Sequence, residues 1–184
     1  MKPLLSAVCC LVLFSAPLLA QATHHAQAEK TGPAAAQMTD QDFVNFAAQT
    51  DMVEANLGQE AQNVAKSQAV KDYGQMLVTD HTNDYKKLQQ IGQQAGFTVP
   101  DAIDGQHNKA MIEPFQKLKD AAFDHRYIRE MVAGHTKALD VYKKEANDAT
   151  NPAIKAYAQD AIPVLQKHLD NAKAIEQGKT PPSM

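Results

Sequence analysis

Four long stretches of helical periodicity account for most of the chain after residue 38, and almost no segment has the alternating pattern of a strand. Their ends carry the residues that commonly cap helices. Thr39 and Asp42 form a capping box, and Asn151-Pro152 pairs an N-cap with proline at the first helical position. The first predicted helix starts at Thr39 and runs to about Lys66, and the second starts after Ser67 and ends at Gly96. The third begins after Asp120 and runs to about Asn147, and the fourth opens with Asn151 and stops at Gly178.

The connections predict how these helices pack. Only a few residues join the first helix to the second and the third to the fourth, so each pair should form an antiparallel hairpin. About 24 residues, Phe97 to Asp120, separate the hairpins, with an extended Thr98-Val99-Pro100 segment and a predicted short helix around residues 107–119. A helix of about 28 residues is roughly 42 Å long, and this linker can run that length. The sequence therefore predicts an all-α, ferritin-like antiparallel four-helix bundle with two helical hairpins and a long crossover that carries a short helix.

The first 22 residues have the features of a signal peptide. Lys2 gives a positive start, residues 4–20 are apolar and uncharged, and Ala20-Gln21-Ala22 is a suitable cleavage site; a retained N-terminal anchor is the alternative. Both cysteines, Cys9 and Cys10, lie in this segment, so the mature protein should have no disulfide and no thiolate chemistry. We expect an exported protein of the periplasm or cell envelope, without a membrane span in its mature part.

The rest of the chain divides into three parts. Residues 23–38, which include His24 and His25, are predicted to be a flexible leader, residues 39–178 the bundle domain, and residues 179–184 a disordered tail. The composition is that of an ordinary globular protein, with 21% charged residues and a net charge of −3, which argues against nucleic acid as a partner. No nucleophile–base pair or glycine-rich phosphate loop indicates a hydrolase or transferase.

One ionisable residue interrupts the apolar face of each predicted helix. These residues are Glu54, His81, His135 and His168. Each lies near the middle of its helix, and counting residues from the hairpin turns places the two members of each hairpin within about 4–5 Å in height. We therefore expect all four side chains to converge at one level of the core.

A charged glutamate in an apolar core costs several kcal/mol unless it is paired. Three imidazoles can pair it in two ways. They can form a metal-free polar layer that fixes the packing of the helices, or they can join the carboxylate in binding a metal ion. One carboxylate and three histidines suit zinc, iron, manganese or copper, and the leading prediction is a single transition-metal ion.

Three further residues are possible contributors to such a site. Asp84 lies one turn beyond His81 and could accept a hydrogen bond from its imidazole. Asp124 lies near the start of the third helix, where it could instead cap the helix or form a pair. His107 lies on the linker helix, either as a fifth ligand or as an exposed residue. Pro163 should kink the fourth helix one turn before His168.

The chain from Asp42 to about Gln177 resembles a bacterial family of exported proteins of unknown function, often labelled "predicted outer membrane protein". The matching residues are Phe43-Val44, Met52, Glu54, Met76, Asp80-His81, Phe123-Asp124, Tyr127, Met131, His135, Ile162-Pro163-Val164-Leu165 and His168. The resemblance implies a ferritin-like bundle in the periplasm or envelope and supplies no established reaction.

Di-iron enzymes of ferritin-like fold use a Glu-x-x-His pair on each of two helices. Here Val78 and Leu165 stand three residues before His81 and His168, so too few carboxylates remain to bridge two irons, and a mononuclear site is favoured. We expect a metal-binding bundle that acts in metal handling or in defence against metal or oxidative stress. The alternatives are a non-catalytic envelope interaction module with a metal-free polar layer, and a metal-dependent redox enzyme. The oligomeric state is not predicted.

Overall fold

The computed structural model describes residues 38–182. The predicted signal peptide, nearly all of the predicted leader and the last two residues of the tail lie outside this range. The described chain contains the helices α1 (Asp40–Val64), α2 (Gln68–Ala95), α3 (Gly105–His107), α4 (Asp120–Asp148) and α5 (Pro152–Glu176). A π-helical turn, Asn108–Ile112, and a 3₁₀ turn, Glu113–Phe115, follow α3. The prediction of an all-α bundle is confirmed.

The helix ends show why these boundaries could be predicted. Thr39 and Asp42 make both hydrogen bonds of the capping box, and the Asn151 side chain accepts from the first backbone N–H groups of α5. Gly96 ends α2 in the left-handed conformation, with φ of 81°. Ser67 precedes α2 but makes no side-chain capping bond.

Two carboxylates at helix ends hold the hairpin turns. Asp124, near the start of α4, accepts hydrogen bonds from the backbone N–H groups of Lys66 and Ser67 between α1 and α2, at 2.9 and 2.8 Å. Asp40, at the start of α1, accepts from the backbone N–H of Thr150 at 3.0 Å in the turn between α4 and α5. The start of α4 therefore lies beside the end of α1.

The linker between α2 and α4 runs the length of the bundle. Its first residues lie at the start of α1, where the Gln41 side chain bonds the backbone of Thr98 through both its amide oxygen and its amide nitrogen, and its last residues reach the end of α1. This is the long crossover that the linker length predicts. In place of a regular helix over residues 107–119, the linker has short turns of three kinds over residues 105–115.

The core contains two clusters of buried apolar side chains. One lies toward the start of α1 and includes Phe43, Tyr142 and Tyr157, and the other lies toward its end and includes Tyr73 and Tyr127. The level between the clusters is where the sequence predicts the polar layer. Within residues 38–182, none of the helices combines the length and the apolar character that crossing a bilayer requires.

Candidate metal centre

Glu54, His81, His135 and His168 meet in the core, between the two apolar clusters. Each comes from a different long helix, and each is 6% exposed or less. Glu54 Oε2 lies 3.2 Å from His81 Nε2 and 3.3 Å from His135 Nε2. His135 Nε2 lies 3.2 Å from His168 Nδ1. One nitrogen from each of the three histidines lies within 4.8 Å of the corresponding nitrogens of the other two. The convergence that the sequence predicts is present.

The other nitrogen of each imidazole is fixed by an acceptor outside the cluster. His81 Nδ1 contacts Asp51 Oδ1 at 2.8 Å, and His168 Nε2 contacts Asp80 Oδ2 at 2.9 Å. His135 Nδ1 donates to a backbone carbonyl one turn earlier in α4, at 2.9 Å. Because an ionised carboxylate or a carbonyl can only accept, these three nitrogens carry the protons when Asp51 and Asp80 are ionised. In the neutral rings, the nitrogens that face the centre of the cluster therefore carry lone pairs.

The atoms that face the centre form few hydrogen bonds with one another. Glu54 Oε2 and His81 Nε2 are buried without any partner in hydrogen-bonding geometry. His135 Nε2 and His168 Nδ1 face each other as two lone pairs when both rings are neutral. The four donor atoms are separated by 3.2–3.3 Å where they adjoin. A tetrahedral ion with ligands at about 2.0–2.1 Å would separate its donors by roughly 3.3 Å, which matches these three of the six separations among the four atoms.

Two aspartates that contact the cluster from outside, Asp51 and Asp80, were not predicted as site residues. Asp51 is three residues before Glu54, and this spacing on one helical face is a signal that could have identified it. Asp80 is next to His81 in sequence and contacts His168 of α5. That contact between helices has no signal in the sequence of α2 alone.

The expectation that Asp84 holds His81 is wrong. The His81 imidazole contacts Asp51 through Nδ1, whereas Asp84 accepts a hydrogen bond from the Tyr157 hydroxyl at 2.5 Å. Asp51 lies on α1, which packs against α2, whereas Asp84 lies one turn beyond His81 on α2 itself. The orientation of the ring, which the sequence does not specify, selects Asp51.

Asp124 and His107 lie apart from the cluster. Asp124 binds the turn between α1 and α2, where it accepts from the backbone N–H groups of Lys66 and Ser67. His107 Nδ1 contacts Asp104 Oδ2 at 2.9 Å on the linker, and neither side chain is buried. Pro163 lies inside α5, which continues without interruption from Pro152 to Glu176.

Burial and neighbouring charges shift the pKa values of the four residues in different directions. Burial lowers the pKa of His168 to about 4 and lowers that of His135, in spite of the carboxylates nearby. Burial acts against the charged forms of His81 and Glu54 as well. The hydrogen bond to Asp51 and the negative charge of the facing Glu54 nevertheless raise the pKa of His81 to about 10. The positive charges that His135 and His81 can carry lower the pKa of Glu54 to about 2. The pKa is therefore raised for His81 and lowered for Glu54, His135 and His168.

A family model described as "Domain of unknown function (DUF4142)" matches residues 25–175. The chain belongs to this family. The prediction of a family without an established reaction is thereby confirmed, while the ferritin-like label and the export of the protein stay predictions. No curated protein matches the chain.

Solved structures of another protein share the fold of this DUF4142 chain. "CopM in the Cu(II)-bound form" superposes with a TM-score of 0.64 at 18% sequence identity, and covers 77% of this chain and 98% of its own. The Cu(I)-bound form of CopM gives a TM-score of 0.60 at 17% identity, and the Ag-bound form 0.59 at 19%, with the same coverage. At this level of identity the likeness establishes a common fold.

Proposed function

We propose that this DUF4142 protein binds one transition-metal ion through Glu54, His81, His135 and His168, and that it handles that ion as an exported protein of the periplasm or envelope. The observation that carries the proposal is the set of donor atoms around the centre. Glu54 Oε2 and His81 Nε2 lack hydrogen-bond partners, and two imidazole lone pairs face each other at 3.2 Å. An ion at this point would satisfy all four atoms at once.

The contacts outside the cluster support the same conclusion. Metal-binding histidines usually donate their other ring N–H to a carboxylate or a backbone carbonyl, which fixes the ring and the tautomer. All three histidines here have such an acceptor. A metal-free polar layer needs no such arrangement, because its rings can take whichever tautomer satisfies their neighbours.

The donor set favours copper(II) or zinc over the other ions. Imidazole nitrogens suit both, the set contains no sulfur ligand, and binding strength in such sites generally peaks at copper(II). Iron and manganese are the weaker candidates, since only one carboxylate is present. The copper- and silver-bound forms of CopM agree with a metal-handling role for this fold.

The number of ligands favours handling over catalysis. Catalytic zinc sites keep a coordination position open for water or substrate, whereas closed sites use four protein ligands. Four donors from four helices would fill such a shell here. We infer that the protein holds the bound ion and does not use it in catalysis.

Metal analysis of untagged protein tests this proposal. The protein should carry His24→Ala and His25→Ala, since the leader histidines would otherwise bind ions weakly, and it should be titrated with copper(II) and zinc against chromophoric chelators. We expect one ion per chain. His135→Leu should abolish the binding, and His125→Leu, which removes an exposed histidine of the same helix, should leave it unchanged. A folded parent protein that binds no ion would overturn the proposal and leave a metal-free polar layer as the explanation.

A further inference from the structure

A cavity of about 270 Å³ between α2 and α5 reaches the candidate centre from the surface. His81 and His168, two of the four donor residues, line it. At its edge lie Asn83 of α2, which is exposed, and Val164 of α5, whose 41% exposure is unusual for a large apolar residue in this chain. This cavity therefore leads from the surface to two of the four proposed ligands.

A second cavity, of about 410 Å³, lies on the other side of α2 and provides a comparison. Asp51 and His81 line it, but Glu54, His135 and His168 do not. It therefore meets the cluster at one donor residue only, whose Nδ1 is already in contact with Asp51. An ion that arrived there would still be separated from the remaining three donors.

The charges around the first cavity favour the approach of a cation. Its lining includes the carboxylates of Asp80, Asp84 and Asp160 and the amine of Lys87. Lys87 lies 2.9 Å from Asp160 and Lys167 lies 3.5 Å from Asp80, so the three carboxylates outnumber the two amines by one. Carboxylates along a concave wall concentrate cations in front of it.

His168 contacts both the wall of this cavity and the centre of the cluster. Its Nε2 binds Asp80, whose side chain is 26% exposed, while its Nδ1 faces His135 inside the cluster. The ring thus joins the wall of the cavity to the centre. Lys167, next to it, lies 3.5 Å from the same carboxylate.

We propose that the metal ion enters and leaves the centre through the cavity between α2 and α5, with His168 as the first ligand it meets. This inference rests on the metal binding proposed above. It assigns the exchange of the ion to one face of the bundle. A partner that delivers or removes the ion therefore has access at Asn83 and Val164 and not at the linker.

The rates of metal binding test the route separately from the affinity. Val164→Trp and, independently, Asn83→Trp place a large ring at the mouth of the cavity, and Asn56→Trp does the same at the mouth of the second cavity, where Asn56 is also exposed. Stopped-flow measurements with copper(II), and then with a chelator in excess, give the association and dissociation rates. Equilibrium titration of each variant gives Kd.

We expect Val164→Trp and Asn83→Trp to slow association and dissociation together by roughly tenfold, with Kd nearly unchanged, because a plug at the entrance affects the passage of the ion and not its ligands. Asn56→Trp should keep the rates of the parent protein. The route is overturned if neither plug slows exchange, or if Asn56→Trp alone does. Absence of binding by the parent protein would instead refute the metal site itself.

Discussion

Asp51 binds no ion in the proposed centre, yet the orientation of His81 depends on it. Its carboxylate is 2% exposed and accepts from His81 Nδ1 at 2.8 Å, while its second oxygen has no hydrogen-bond partner. Burying this carboxylate is costly unless the contact with His81 compensates for it. The contact turns His81 Nε2 toward Glu54 and the other two histidines.

The first prediction compares Asp51 with Asp84. Asp51→Asn should weaken copper(II) binding by roughly tenfold or more, because it removes the charged acceptor that holds a ligand ring in place. Asp84→Asn should change Kd much less, since Asp84 accepts from Tyr157 and an amide oxygen can do the same. Competition titrations of both variants measure the two effects. A larger loss for Asp84→Asn would show that the ring of His81 turns toward Asp84 when metal binds.

At this scale the sequence predicts the four donors but not their supporting contacts. A polar residue in the middle of an apolar stripe is a local feature of one helix, so Glu54, His81, His135 and His168 could each be recognised separately. The partner of an imidazole nitrogen depends on the rotation of a neighbouring helix and on a side-chain rotamer. Neither is encoded in a single stretch of sequence, which is why the expectation for Asp84 is wrong.

The packing of α1 against α2 depends on two glycines that allow the helices to touch. A Cβ atom added to Gly74 would lie 2.7 Å from the Gly58 carbonyl oxygen and 2.9 Å from the Cβ atom of Ala61. A Cβ atom on Gly58 would lie 2.6 Å from the Gly74 carbonyl oxygen. These distances are shorter than real contacts, and the atoms involved cannot rotate away. The close approach brings Glu54 of α1 and His81 of α2 to the same part of the core.

The second prediction tests this helix contact. Gly74→Ala should destabilise the metal-free protein by about 1–3 kcal/mol, because the helices must separate to admit the methyl group. Gly134→Ala is the control, since its Cβ would meet only Glu54 Oε1 at an ordinary 3.6 Å. That substitution should stabilise α4 by about 0.5–1 kcal/mol through helix propensity. Urea unfolding of both variants measures the difference. Equal stability of Gly74→Ala and the parent protein would contradict the close packing.

The long helices follow from the sequence more fully than the linker does. Caps such as Thr39 and Asn151 act within a few residues, so the helix ends could be placed from local pattern alone. The linker is shaped by contacts with the bundle instead. The Gln49 side chain bonds Ala102 and Asp104 in the linker, and the Tyr85 hydroxyl donates to the Pro100 carbonyl. These distant contacts explain why the linker forms short irregular turns in place of one regular helix.

Across the whole molecule, the candidate centre joins the two halves of the bundle. Glu54 and His81 belong to the hairpin of α1 and α2, and His135 and His168 to the hairpin of α4 and α5. An ion bound by all four would connect the hairpins at the middle of their length, between the two apolar clusters. In the metal-free protein, packing and hydrogen bonds hold the hairpins together without that connection.

The third prediction follows from this connection. Since the unfolded chain does not bring the four donors together, an ion that binds the folded state stabilises it by about 2.7 kcal/mol at a free concentration of 100 times Kd. For a bundle of this size, that corresponds to a rise in Tm of roughly 5–10 °C. Thermal unfolding of the His24→Ala, His25→Ala protein with and without copper(II) measures the rise, and a chelator should reverse it. His168→Leu removes one donor of the second hairpin, so its Tm should respond little to the metal. A rise of the same size in His168→Leu would show that the ion binds elsewhere and does not connect the hairpins.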